Sequence, residues 1–79
     1  MKFRINIVLK PSILDPQGQA VAFSLQGQGF ENIKNVRQGK ILDIEFNSNK
    51  VDMKKINIMC ENFLTNPLVE DYTIEEIKT

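Results

Sequence analysis

Histidine and tryptophan are absent from this 79-residue chain, and it holds a single cysteine, Cys60. Without histidine there is no zinc site of the Cys/His type and no imidazole base to activate a nucleophile. One cysteine makes no internal disulfide, and a free thiol suits a reducing compartment. Charge of one sign is not in excess either: ten Lys and Arg balance ten Asp and Glu. A nucleic-acid binder carries a net positive charge or a basic stripe, and this chain has neither. No apolar run approaches the roughly 18 residues of a membrane span. The uncharged stretch within the N-terminal "MKFRINIVLKP" is too short for a signal peptide. A phosphate-cradling loop of the G-x-x-x-x-G-K type does not occur. The expectation is a cytoplasmic protein with no nucleic-acid or membrane partner.

What is present fits one domain over residues 1–79. A chain of this size buries only about 60–65% of its unfolded surface. Its core supplies roughly 3–5 kcal/mol, so small scaffolds need a further support. With disulfide and metal excluded, self-association is the common remaining one.

Residues 2–10, "KFRINIVLK", alternate: Phe3, Ile5, Ile7 and Leu9 face one way, Arg4, Asn6 and Lys10 the other, with Val8 among them. That period marks a strand with one buried face, ended by Pro11. "ILDPQG" follows. Asp15 caps a helix and Pro16 takes its first position, where a missing N–H does no harm. Val21, Ala22 and Leu25 share a helix face with Gly18, Gly29 is the expected stop, and Phe23 points away. Residues 33–46 read as two strands around Gln38-Gly39, with one long strand bulged at Gly39 as the lesser alternative. Over 52–65, Met53, Ile56, Met59, Cys60, Phe63 and Leu64 form one helical stripe capped by Asp52 and stopped at Asn66-Pro67. Residues 68–77 form the last strand, with a bulge near Glu70-Asp71 expected because Val69 and Tyr72 fall out of phase.

The order β-α-β-β-α-β predicts an α+β fold: a two-layer sandwich of the ferredoxin-like kind, with a four-stranded antiparallel sheet and two helices on one face. The first and last strands are then neighbours, which sets Lys2, Arg4 and Lys10 beside Glu70, Asp71, Glu75 and Glu76. Val8, Ile77 and either Val69 or Tyr72 fall on the open sheet face. Dimerisation through that face, or by joining sheet edges, is the structural expectation.

Catalytic chemistry is hard to assemble from these residues. Cys60 sits on the apolar stripe and reads as a small core hydrophobe. The adjacent carboxylates of Glu70-Asp71 and Glu75-Glu76 point to opposite faces of a strand and cannot share a site. Lys54-Lys55 at a helix start opposes the helix dipole, a weak hint of an acidic partner. Arg37 and Lys40, flanking Gln38 and Gly39, read either as ordinary turn charges or as a docking tip. Phe23 and Ile58 each lie off their helix's stripe, a sign of a covered outer face. Gly18 weakens a helix start, unless another backbone or a ligand must approach the first turn closely. Two classes fit: a non-catalytic assembly subunit, or a homodimeric amino-acid-sensing regulatory domain, whose Asp-x-Pro-Gly-like turn "LDPQG" loosely matches.

Four stretches are decisive together: "LKPSILDPQGQAV" (9–21), "VRQGKIL" (36–42), "MCENFL" (59–64) and "NPLVEDYTIE" (66–75). In order and spacing the chain resembles, nearly end to end, the PurS family, the small subunits of phosphoribosylformylglycinamidine (FGAM) synthase. It departs from that pattern at Gln28, where leucine is usual, and at Val51-Asp52-Met53-Lys54-Lys55, where the family is more acidic. The resemblance implies a non-catalytic assembly subunit in purine biosynthesis. It implies a homodimer that bridges a glutaminase subunit and a large synthetase subunit and assists ammonia transfer between them. No cofactor is then expected on this chain; ATP and magnesium are used by the synthetase partner. The expected partner contacts are Asp15, Pro16, Gln17, Gly18, Phe23, Arg37, Gln38, Gly39, Lys40, Asn66 and Pro67.

Overall fold

The apolar alternation at the N-terminus builds the centre of the sheet. In the computed structural model, which describes residues 1–78, strand β1 spans Lys2–Leu9 and pairs antiparallel on both sides. Strand β2, Gly39–Glu45, lies along one edge with Ile5 opposite Leu42; strand β3, Glu70–Ile77, lies along the other with Ile5 opposite Ile74. The first and last strands are therefore antiparallel neighbours, as expected. The order β2-β1-β3 is the ferredoxin-like order without one edge strand.

That missing strand is a correction. Among the described residues the sheet has three strands, not four, and residues 33–38 carry no strand pairing. There is no hairpin at Gln38-Gly39; Gly39 simply opens β2. Nor is a bulge needed in β3. Its pairing with β1 runs without a break from Glu70, and Val69 lies before the strand. Tyr72 and Ile74 then face inward, so Tyr72 leaves the open face to Val8, Ile41 and Ile77.

Phe3, Ile5 and Ile7 are fully buried under Ile56 and Cys60, with Leu42, Ile44, Phe46, Leu64, Tyr72 and Ile74 packed around them. Each buried aliphatic or aromatic side chain contributes about 1.5–3 kcal/mol. Phe3 meets Phe46 edge to face, ring centroids 5.9 Å apart. The open face is held by charge: Arg4 pairs with Asp43 at 2.9 Å and Lys10 with Asp71 at 2.7 Å. Asn6 Nδ2 donates to Glu75 Oε1 at 2.9 Å.

Helix α2, Met53–Met59, is capped by Asp52, whose Oδ1 accepts from Lys54 N at 2.9 Å. It continues as a π-helical turn over Cys60–Leu64, closed by Thr65 N and Oγ1 on the Cys60 carbonyl. The wider turn shifts the phase of the stripe. Cys60 and Leu64 stay inside, while Phe63, expected in the core, is 80% exposed.

Helix α1, Pro16–Gly27, ends as expected at Gly29, whose φ is +98°. Gly29 N and Phe30 N donate to the carbonyls of Gln26 and Leu25, the paired bonds of a Schellman motif. The helix buries Gly18 and half-buries Ala22 and Leu25, while Val21 and Phe23 are exposed. It contributes no residue to the core around β1. Two helices on one sheet face is therefore corrected to one, α2. Helix α1 packs instead on the segment 33–38, and the two form an arm beyond the end of the sheet.

Candidate partner-contact surface

Asp15 is the joint of that arm. It is the single buried charged residue among those described, 4% exposed. One carboxylate oxygen, Oδ1, accepts from Gly18 N at 3.0 Å as a helix cap; the other, Oδ2, accepts from Gln38 N at 2.6 Å. The Gln38 and Gly18 amides hold its carboxyl below the ordinary value of 3.8, against the opposing effect of burial, and Arg37 adds to them. A single side chain thus ties the start of α1 to the residue just before β2.

The joint explains Gly18. A Cβ on Gly18 would stand 2.3 Å from the Val36 carbonyl oxygen and 2.5 Å from Asp15 Oδ2. The close approach anticipated for this glycine is made by the chain's own returning backbone. Gly39 is constrained likewise, since a Cβ there would lie 2.5 Å from the Ile7 carbonyl oxygen.

Two separate stretches of the sequence therefore meet. Gln38 Nε2 donates to Gln17 Oε1 at 2.7 Å. Arg37 Nη2 donates to the carbonyls of Lys10, at 3.0 Å, and Leu9, at 3.4 Å. The guanidinium is turned onto its own backbone, as a tether of the arm to the end of β1. Pro16 is exposed beside it. Lys40 Nζ lies 3.8 Å from Glu70 Oε2, while Glu70 Oε1 accepts from Asn66 N at 2.7 Å. Glu70, which the sequence reading set aside as a solvated charge, links the Asn66-Pro67 turn to Lys40. Asp15, Gln17, Gln38, Gly39, Lys40 and Glu70 line one cleft of about 250 Å³ at the root of the arm. Phe23 stands apart from it, 79% exposed on the outer side of α1.

The rest of the titratable chemistry is structural. Burial, and then Glu61, push the Cys60 thiol above its ordinary value, and the residue is fully buried. The Tyr72 hydroxyl lies 3.0 Å from Asn57 Oδ1 and 3.2 Å from Glu61 Oε1. Among the described residues no three His, Cys, Asp or Glu side chains gather to hold a metal. No helix there is long and apolar enough to cross a membrane.

Residues 2–78 match the family model of PurS, phosphoribosylformylglycinamidine (FGAM) synthase. The PurS subunit of FGAM synthase from Mycobacterium leprae is 40% identical over 70 residues, 89% of this chain and 87% of that one. The Bacillus subtilis subunit is 35% identical over 75 residues, 94% and 89% of the two chains. The solved PurS of B. subtilis in its C2 crystal form superposes with a TM-score of 0.83 over 94% of each chain, at 35% identity. A chain in the structure of PurLQS from Thermotoga maritima gives 0.77 over 96% and 95%, at 28% identity. By sequence along nearly its whole length, and by fold, the chain belongs to the PurS family of FGAM synthase subunits.

Proposed function

We propose that this chain, a single PurS-like domain, is the non-catalytic assembly subunit of a cytoplasmic FGAM synthase complex. It self-associates and holds a glutaminase and a large synthetase subunit in register. The observation that carries the reading is the end-to-end likeness to a chain of the T. maritima PurLQS structure. The overall reaction converts a formamide-type ribonucleotide to its amidine with glutamine and ATP. In this reading ATP and magnesium act on the synthetase. The amino-acid-sensor alternative has no relative in its favour, since the similar chains named above are PurS subunits.

The chemistry needs such a subunit. Glutamine hydrolysis releases ammonia at one active site, and an activated amide consumes it at another. Ammonia reacts as the neutral molecule, and bulk water protonates it. A subunit that closes the junction between the two sites keeps water out and supplies no reacting group. The root of the arm, with Asp15 to Gly18 beside Arg37 to Lys40, offers the docking surface, and Asn66-Pro67 extends it through Glu70. Co-sedimentation with the two larger subunits tests the reading. A complex that contains all three chains supports it; a glutaminase and synthetase that associate equally well without this chain refute it.

A further inference from the structure

The protomer is too extended for its size. Its radius of gyration is 16.0 Å, against about 12 Å for a compact chain of 79 residues. It exposes 6197 Å², whereas a compact protein of 9.1 kDa exposes about 4,900 Å². The excess, about 1,300 Å², exceeds the roughly 800 Å² that each partner buries in a standard interface. The surplus is the arm: α1 with its return over residues 28–38, carrying exposed Val21, Phe23 and Phe30. The sheet lacks the complementary part, since β2 is an edge strand whose outer side has no strand beside it among the described residues. In the ferredoxin-like order that position belongs to the strand that precedes β2 in sequence.

We infer that two copies exchange arms: residues 33–38 of one copy pair antiparallel with the outer edge of β2 in the other, and each α1 lies over its partner's sheet beside α2. The numbers fit a two-fold axis near Gly39. Six residues, 33–38, precede it and six, 40–45, follow it. The two strands can therefore oppose each other, with Val36 next to the partner's Leu42 and Asn35 next to the partner's Asp43. The faces fit as well. Val36 is an even number of residues from Leu42 and Ile44, so in a continued pleat it faces the same side as they do. Val36 is also the residue whose backbone meets Gly18 of α1. The helix is therefore carried to the inner face, next to half-buried Leu42 and Ile44. Six strands then form one sheet, and the two free β2 edges close each other, which removes an aggregation-prone edge. The inference deepens the self-association in the proposed function and is independent of the larger subunits.

Cross-linking between copies tests it. Asn35→Cys and Asp43→Cys chains are unfolded together, refolded and treated with a short bismaleimide; Cys60 is buried and does not compete. The inference predicts a covalent heterodimer in the mixture and almost none with Asn35→Cys alone. Two copies of residue 35 would sit eight residues apart along the strand, about 26 Å. Sedimentation of the unaltered chain separates the outcomes. A dimer without the heterodimer band overturns the exchange and leaves self-association standing; a monomer at micromolar concentration overturns both. Should a variant fail to fold, amide exchange on the unaltered chain decides. Slow exchange at the outward amides of residues 33–38 and of Gly39–Glu45 supports the exchange, and fast exchange there contradicts it.

Discussion

At the scale of the residue, Gly18 and Asp15 decide whether the arm holds its place. Alanine at position 18 improves helix propensity by about 0.5–1 kcal/mol. Its methyl group would enter the space of the Val36 carbonyl oxygen, 2.3 Å away. Such overpacking costs typically 1–3 kcal/mol. Gly18→Ala should therefore destabilise the protein in urea unfolding; a stabilised variant would show that the arm does not rest there. Asp15 gives a pH test. Its folded carboxyl titrates below the ordinary 3.8 because it accepts from Gln38 and Gly18. The stabilisation is thus fully present above the unfolded value and lost as pH falls through the lower folded one. Thermal melts should be insensitive to this group above about pH 5 and fall below about pH 4. Asp15→Asn should melt lower at neutral pH and show a shallower acid slope. The role of Asp15 as a cap was legible from "LDPQG". Its second bond, to Gln38, was not, because it depends on where 23 residues of intervening chain return. Glu70 escaped notice for the same reason: its partners, Lys40 and Asn66, come from two other segments.

At the scale of the element, alternation and caps carried β1, α1, α2 and β3, since each is set by its own side chains. The failures have physical causes. Phe63 fits an α-helical stripe, but the turn at Cys60–Leu64 widens to i→i−5 bonding under Thr65, and the ring swings out. Phe63→Ser should therefore change stability by no more than about 0.5 kcal/mol. Ile56→Ala, at a fully buried position, should cost about 2–5 kcal/mol. Urea midpoints of the two variants check the contrast, and equal losses would return Phe63 to the core. The segment 33–38 has strand-like composition without a strand. Pairing needs a free edge within reach, and the edge of its own sheet lies beyond the turn at Gly39.

At the scale of the whole molecule, the same absence of staples that pointed to self-association leaves one helix over three strands as the protomer's core. The remainder of the chain forms a protruding surface, rooted at Asp15 and Arg37. Because Arg37 ties that root to Leu9 and Lys10, Arg37→Glu should loosen the arm while the core around β1 persists. Affinity for the larger subunits should fall about tenfold or more, a loss of about 1.4 kcal/mol; unchanged co-sedimentation would release Arg37 from the docking surface. The central claim is that this subunit works by holding two catalysts together. It is tested most directly by titrating the chain into glutaminase and synthetase, and by following FGAM formation first with glutamine and then with free ammonium. The glutamine-driven rate should rise with the chain to saturation while the ammonium-driven rate stays nearly level. A glutamine-driven rate already complete without the chain would contradict the account.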